Sequence, residues 1–300
     1  MKPFIELDRS RIDSVSSLYN FHTTVDVLRL DLIHPVVSGN KFFKLKEYLS
    51  EAEHQNKKVL VTFGGAYSNH IVATAAAAEW QGLKSIGIIR GEKPAALSHT
   101  LMQARSYGMD LIFVSREEYR RKSLPDEWLK NYRPEDLYII NEGGYGSRGM
   151  EGSRDILKDC NASTYTHILS AAGTGTTLAG LIAASHPGQA VIGISVLKNN
   201  FSLEKEINAL LPPEKQGRFQ LDHAYHFGGY AKHTPQLLQF MNDWYAQTGI
   251  PSDFVYTGKL FFAAHDLLQK SYFPEGSRLL IIHSGGLQGK LSLPKGTLIF

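Results

Sequence analysis

Short apolar runs, each stopped by glycine or polar residues and most followed by a stretch of helical periodicity, recur through this chain and constrain its fold more than any other feature. The runs are VDVLRLDLI (25–33), KVLVTF (58–63), KSIGIIR (84–90), DLIFVS (110–115), LYIIN (137–141), THILSAA (166–172), QAVIGISVL (189–197) and RLLIIHS (278–284). Their length and β-branched content predict buried strands. Between them lie helical patterns, among them KFFKLKEYLSEAEHQ (41–55), SNHIVATAAAAEWQ (68–81), TTLAGLIAASH (176–186) and TPQLLQFMNDWYAQT (234–248). Buried strands alternating with helices imply an α/β fold with mostly parallel sheets. Such sheets bind ligands outside the carboxyl ends of their strands. The residues at those ends are therefore the candidates for chemistry.

Composition narrows the classes of function. The chain has 300 residues, 43% of them hydrophobic, and a net charge of +3. Its Lys and Arg are interspersed with acids, so nothing calls for nucleic acid. A single cysteine, Cys160, rules out an intramolecular disulfide and a Cys-based zinc site. The opening MKPFIELDRSRID lacks the apolar core of a signal peptide, and no run is long enough to span a bilayer. A cytoplasmic protein acting on a small molecule, without membrane partners and assembled as a homodimer, is expected.

Three strand ends carry distinctive residues. In Ser38-Gly39-Asn40-Lys41, Asn40 is a good helix N-cap and puts Lys41 in the first turn. The helix dipole disfavours an ammonium there and lowers the lysine pKa, as a Schiff-base lysine requires. Lys44, rotated by roughly 300° on the helix, faces the same side and is a rival. In Gly64-Gly65-Ala66-Tyr67-Ser68-Asn69-His70, small and hydrogen-bonding residues gather at a strand-to-helix turn, where Ser68 serves equally well as a simple cap. In Gly173-Thr174-Gly175-Thr176-Thr177, glycines let backbone amides converge at a helix N-terminus, which makes a phosphate cradle. The loop is not a Walker A motif, because no Gly-Lys-Ser/Thr follows. A nicotinamide-dependent oxidoreductase fits less well: the third Gly is displaced, and the next strand ends in Val196-Leu197-Lys198-Asn199 rather than an acid. His223, His226 and His233 match no standard zinc spacing, so no metal is expected.

The order of these segments resembles the 1-aminocyclopropane-1-carboxylate (ACC) deaminase / D-cysteine desulfhydrase family. It runs G39-N40-K41, G64-G65-A66-Y67-S68-N69, G173-T174-G175-T176-T177, Y256-T257-G258-K259 and H283-S284-G285-G286. The resemblance implies pyridoxal 5'-phosphate (PLP) as cofactor and a two-lobed, tryptophan-synthase-β-like fold (fold type II) with the cofactor in the interlobe cleft. Residues 1–52 and 142–300 would form the large lobe and 53–141 a smaller inserted one. It implies further that Lys41 rather than Lys44 bears the Schiff base and later takes the α-proton. Asn69 would bond the ring hydroxyl, Ser68 would serve the substrate carboxylate or proton transfer, and Gly173 to Thr177 would hold the phosphate with help from Lys44. Tyr256, Tyr230, His70 and Ser284 would line the substrate pocket. Thr257 and Ser284 stand where ACC deaminases have Glu and Leu. A hydroxyl beside the pyridine nitrogen, in place of a carboxylate, suits β-elimination better than ring opening. The expected activity is α,β-elimination on a small amino acid, with D-cysteine leading; ACC deaminase and a PLP-binding protein of little turnover are the alternatives. The charged stretch before Gly-Asn-Lys is shortened to LRLDLIHPVVSGNK, with Ser38 in place of a usual glycine.

Overall fold

The computed structural model describes residues 7–19, 23–158 and 160–300. Among these described residues ten strands make two sheets: β1 (Ile12–Ser14), β2 (Thr24–Arg29), β3 (Val59–Gly64), β4 (Lys84–Arg90), β5 (Met109–Val114), β6 (Leu137–Ile140), β7 (His167–Ala172), β8 (Ala190–Ser195), β9 (Gln220–Asp222) and β10 (Arg278–His283). The larger sheet has the order β1-β2-β10-β7-β8-β9 and the smaller β5-β4-β3-β6. Every pairing is parallel except β1 with β2. The helices are α1 (Asn40–His54), α2 (Asn69–Trp80), α3 (His99–Ser106), α4 (Arg116–Arg120), α5 (Asp126–Leu129), α6 (Ser147–Arg154), α7 (Thr176–Ala184), α8 (Leu203–Asn208), α9 (Pro235–Thr248) and α10 (Thr257–Gln269).

All eight apolar runs contain a strand. Helices cover both faces of the large sheet, so its central strands are buried almost throughout, as parallel sheets require. One core cluster joins α1, α6 and α7 to one face; another joins α9 and α10 to the other. In the small sheet, the alanines of α2 pack on β3, where small side chains allow close approach.

The first run corrects the expectation. It ends as a strand at Arg29 rather than Ile33, and Leu30–Leu32 turn as a 3-10 helix. The Arg29 guanidinium makes a bidentate pair with Asp31 at 2.8 and 2.7 Å and reaches Asp13 at 2.8 Å. Buried, bidentate pairs of this kind are strong and geometrically specific.

Candidate active site

The carboxyl ends of β3, β4, β6, β7, β8 and β10 converge on one cavity of about 320 Å³. That is the lower end of the range for small-ligand sites. Two glycine-bearing turns fix its floor. Gly39 has φ +60°, and a Cβ there would lie 2.0 Å from the Ser284 carbonyl oxygen. The Asn40 amide donates to that same oxygen at 3.2 Å. The turn before α1 and the His283-Ser284-Gly285-Gly286 turn after β10 therefore touch backbone to backbone.

Gly39, not Asn40, is the N-cap of α1, and Asn40 makes no capping bond. Its side chain has another use. Asn40 Nδ2 donates to Thr177 Oγ1 at 2.9 Å, and Asn40 Oδ1 accepts from Lys41 Nζ at 2.8 Å. Asn40 thus ties α1 to α7 and aims the lysine. Burial lowers the Lys41 pKa to about 8, with the Asp253 carboxylate opposing. Lys44 is 5% exposed and donates to the Gly143 carbonyl at 3.0 Å, with Thr174 Oγ1 at 3.5 Å. Burial, and then the neighbouring Lys41, push its pKa well down. Among the described residues no carboxylate lies within 4 Å of either ammonium.

Gly175 caps α7 in a left-handed conformation (φ +76°), where a Cβ would sit 2.5 Å from Ile207. The first amides of α7 carry no intrahelical partner, and they open beside the two lysines. Gly173, Thr174, Gly175 and Thr177 line the cavity. Thr176 does not: its hydroxyl is buried against Thr174 at 3.2 Å, so it offers the cavity wall no side chain.

On the opposite wall Ser68 caps α2 by accepting from the Ile71 amide at 3.4 Å, and it lines the cavity with Asn69. The capping and pocket readings of Ser68 coexist. His70 is fully enclosed. Thr62 Oγ1 donates to the Ile140 carbonyl, so it accepts from His70 Nε2 at 2.9 Å. That bond leaves Nδ1 a bare acceptor, and it has no partner. Burial, with Lys41 and Lys44 nearby, pushes the His70 pKa well down and keeps the ring neutral.

Tyr256 and Tyr230 meet edge to face at 6.3 Å and line the far side, with Ser284 beneath. Burial raises both phenols. Thr257 departs from expectation. It is fully buried and absent from the cavity wall, because its hydroxyl donates to Asp253 Oδ1 at 2.9 Å and accepts from the Asp253 amide at 2.8 Å. Asp253, which the sequence reading missed, also accepts from the amides of Val255, Tyr256 and Thr257. Its signal was present: an aspartate just ahead of a helix offers its carboxylate to the first amides. Arg90 and Glu142 at the mouth were missed as well, although each ends or follows an apolar run at its carboxyl end.

These residues fit PLP on chemical grounds. Buried Lys44 and half-buried Lys41, with no carboxylate within 4 Å among the described residues and next to open helix amides, form a site for an anion. Beside it stands the Lys41 amine, whose pKa burial lowers to about 8. Among the described residues no helix is long and apolar enough to cross a membrane.

Comparison with known proteins agrees. Residues 24–285 match the family described as pyridoxal-phosphate dependent enzyme. A bifunctional D-cysteine desulfhydrase/1-aminocyclopropane-1-carboxylate deaminase of Arabidopsis thaliana, named as mitochondrial, is 31% identical over 89% of this chain and 73% of its own length. A putative 1-aminocyclopropane-1-carboxylate deaminase of Thermotoga maritima is 31% identical over 92% of both chains. The crystal structure of an ACC deaminase homologue superposes with a TM-score of 0.82 at 27% identity, covering 96% of this chain and 92% of that one. An O-ureido-L-serine synthase, 16% identical with a TM-score of 0.71 over 97% of this chain and 92% of that one, shares the fold. The chain belongs to the pyridoxal-phosphate-dependent enzymes of fold type II, uses pyridoxal 5'-phosphate, and has relatives there named for ACC deaminase and D-cysteine desulfhydrase.

Proposed function

We propose that the chain is a lyase that performs α,β-elimination on a small amino acid of the D-cysteine type, converting it with one water into pyruvate, ammonia and sulfide. One observation carries this reading: Lys41, half-buried on the cleft wall, offers an amine with its pKa lowered to about 8 and aimed by Asn40. Elimination begins with loss of an α-proton, and a base whose pKa lies near the working pH serves that step best.

In this reading Lys41 attaches the cofactor covalently and then takes the α-proton. Bound PLP supplies the electron sink that makes that proton acidic. Lys44, Thr174 and the first amides of α7 hold the phosphate, with Gly173 and Gly175 allowing its approach. Ser68 and Asn69 bind the carboxylate and ring hydroxyl. Tyr256 and Tyr230 close the substrate side and exclude water. The leaving sulfur departs with its electron pair, and water converts the unsaturated amine to pyruvate and ammonia. Residues 53–141, which carry the small sheet, serve as the lobe that closes over the substrate.

A second reading, ACC ring opening, has support of its own. The Asp253 carboxylate stands 2.9 Å behind the Thr257 hydroxyl, and an acid in that quarter would favour a protonated ring nitrogen. A pyruvate-release screen over D- and L-cysteine, D- and L-serine, β-chloroalanine and ACC, with 2-oxobutyrate measured for ACC, separates the two. Elimination from a cysteine with ACC left untouched is the expected result. Robust ACC turnover overturns it, and no turnover on any substrate favours a PLP-binding role. Borohydride is expected to fix the cofactor to Lys41 in wild type and not in Lys41→Ala.

A further inference from the structure

Lys259, the last residue of the Tyr256-Thr257-Gly258-Lys259 segment, has no part in the chemistry above. It is fully buried in the first turn of α10. Its ammonium donates to the carbonyls of Gly229 at 2.7 Å and His226 at 2.8 Å, with Val196 O at 3.5 Å. Among the described residues no carboxylate lies within 4 Å of it. A buried charge is normally paired with an opposite one; this one is held by carbonyl dipoles, as a bound monovalent cation would be. Burial lowers its pKa to about 8, with Asp253 opposing, so the charged form predominates at neutral pH.

The loop it grips is an unusual one. Phe227, Gly228, Gly229 and Ala231 all have positive φ, two of them without the freedom of glycine. Such backbone persists only where its surroundings over-determine it. The loop also carries Tyr230, which stands against Tyr256 on the cavity wall. One helix thus supplies both the lysine that clamps the loop and, at its N-cap, the tyrosine that the loop's own tyrosine meets.

We propose that Lys259 is a positioning residue: its ammonium fills a carbonyl cage that would otherwise take a monovalent cation, and so fixes loop 226–231 with Tyr230 on the substrate side of the cleft. The kinetic part rests on the elimination reading; the cage does not.

Hydrogen exchange of loop 226–231 in the PLP-loaded protein tests the cage independently of turnover. Lys259→Met is expected to lose protection across the loop by at least tenfold while the bound-cofactor absorbance is retained. In Lys259→Ala, n-propylammonium or potassium at tens of millimolar should restore that protection. With an accepted substrate, Lys259→Met should raise KM about tenfold and change kcat by less than threefold, the mark of lost substrate positioning. In a Tyr230→Ala background the same change should add nothing. Unaltered loop exchange in Lys259→Met overturns the proposal. So does failure of both cations to rescue Lys259→Ala, and so does additivity with Tyr230→Ala. Should Lys259→Met not fold, Gly229→Ala perturbs the same loop, because its φ of +110° disfavours a side chain and the Cβ would press on Lys198 at 3.2 Å; an unchanged KM there overturns the proposal equally. Absence of turnover in wild type would remove the elimination reading and leave the exchange and rescue results to decide the cage.

Discussion

The two walls of the cleft are built on opposite principles. On the large-sheet wall Lys44 is buried and Lys41 half-buried, and both hydrogen-bond to neutral oxygens. Asn40–Thr177 and the Gly39–Ser284 contact lock that wall from behind. On the small-sheet wall the charges sit at the mouth and are satisfied among themselves. Lys122 pairs with Glu142 at 2.6 Å and lies 3.6 Å from the centre of the Tyr119 ring, over which Arg90 also lies, at 5.5 Å. Exposed pairs of this type contribute little to stability. The difference teaches that the wall with the open helix amides leaves its two lysines without an ion-paired acid, whereas the other wall pairs a lysine with an acid at its rim. A wall that meets a transient substrate settles its own charges and can rearrange cheaply.

The largest expected effect comes from filling the buried wall. Gly175→Asp should weaken PLP binding by more than a hundredfold, because the left-handed turn is lost and a carboxylate faces the phosphate site. Thr176→Ala should change it by less than threefold, since that hydroxyl bonds Thr174 rather than facing the cavity. Fluorescence titration of apoprotein with PLP measures both. Equal affinity in wild type and Gly175→Asp would place the anion elsewhere.

Next comes Thr257→Glu, which sets a second carboxylate against Asp253 in a fully buried position. Stability should fall by about 3 kcal/mol, the order expected of an uncompensated buried charge, whereas Thr257→Ser should stay within about 1 kcal/mol. Urea unfolding of the apoproteins reads this directly. A Thr257→Glu protein as stable as wild type would mean that Thr257 opens to the cleft after all.

A smaller effect follows from pH. As the proposed cofactor lysine, Lys41 would react only as the neutral amine, so the rate at which apoprotein takes up PLP should rise through about pH 8 and then level. An ordinary lysine, with its pKa near 10.5, would still be rising there. The same depression means that the unfolded chain binds more protons than the folded one between about pH 8 and 10.5. Lys41's contribution to apoprotein stability therefore grows with pH across that window. An uptake rate still climbing steeply at pH 9.5 would contradict the lowered pKa.

The smallest effect belongs to the mouth. Arg90→Ala should raise KM by roughly two- to fivefold and leave cofactor loading unaltered, as expected for an exposed group at the rim of the cavity. A loss of PLP binding in that variant would erase the distinction between the walls.

Much of this was legible in the sequence, for reasons that particular residues make plain. Strands of four to seven mostly apolar residues announce themselves, and among the described residues eight of the ten did so. β1 and β9 are three-residue strands at the sheet's edges, too short for any period to show. Glycines were readable at Gly39 and Gly175 because turns and helix starts demand them. Side-chain direction was not readable. Asn40 looked like a cap because caps are common for Asn, yet tertiary contact with Thr177 claimed its amide. Thr257 was expected beside the pyridine nitrogen because the resemblance puts it where ACC deaminases have Glu, but Asp253, four residues earlier in the chain, took its hydroxyl. Both were decided by partners that spacing alone does not name.

The strand order carries a consequence for how the molecule is made. β10 lies between β2 and β7, and Arg278 pairs with Thr24. The small sheet, by contrast, draws all its strands from a continuous stretch, Val59 to Ile140. During synthesis from the N-terminus that smaller unit has every strand in hand while the larger sheet still lacks a central one. β2 must therefore wait, its β10-facing edge unpaired, until the chain beyond residue 278 leaves the ribosome. Unpaired strand edges invite wrong partners, and long-range pairings close slowly. Because the Ser284 turn follows β10 directly and lines the cavity, the cavity cannot be complete before β10 is in place.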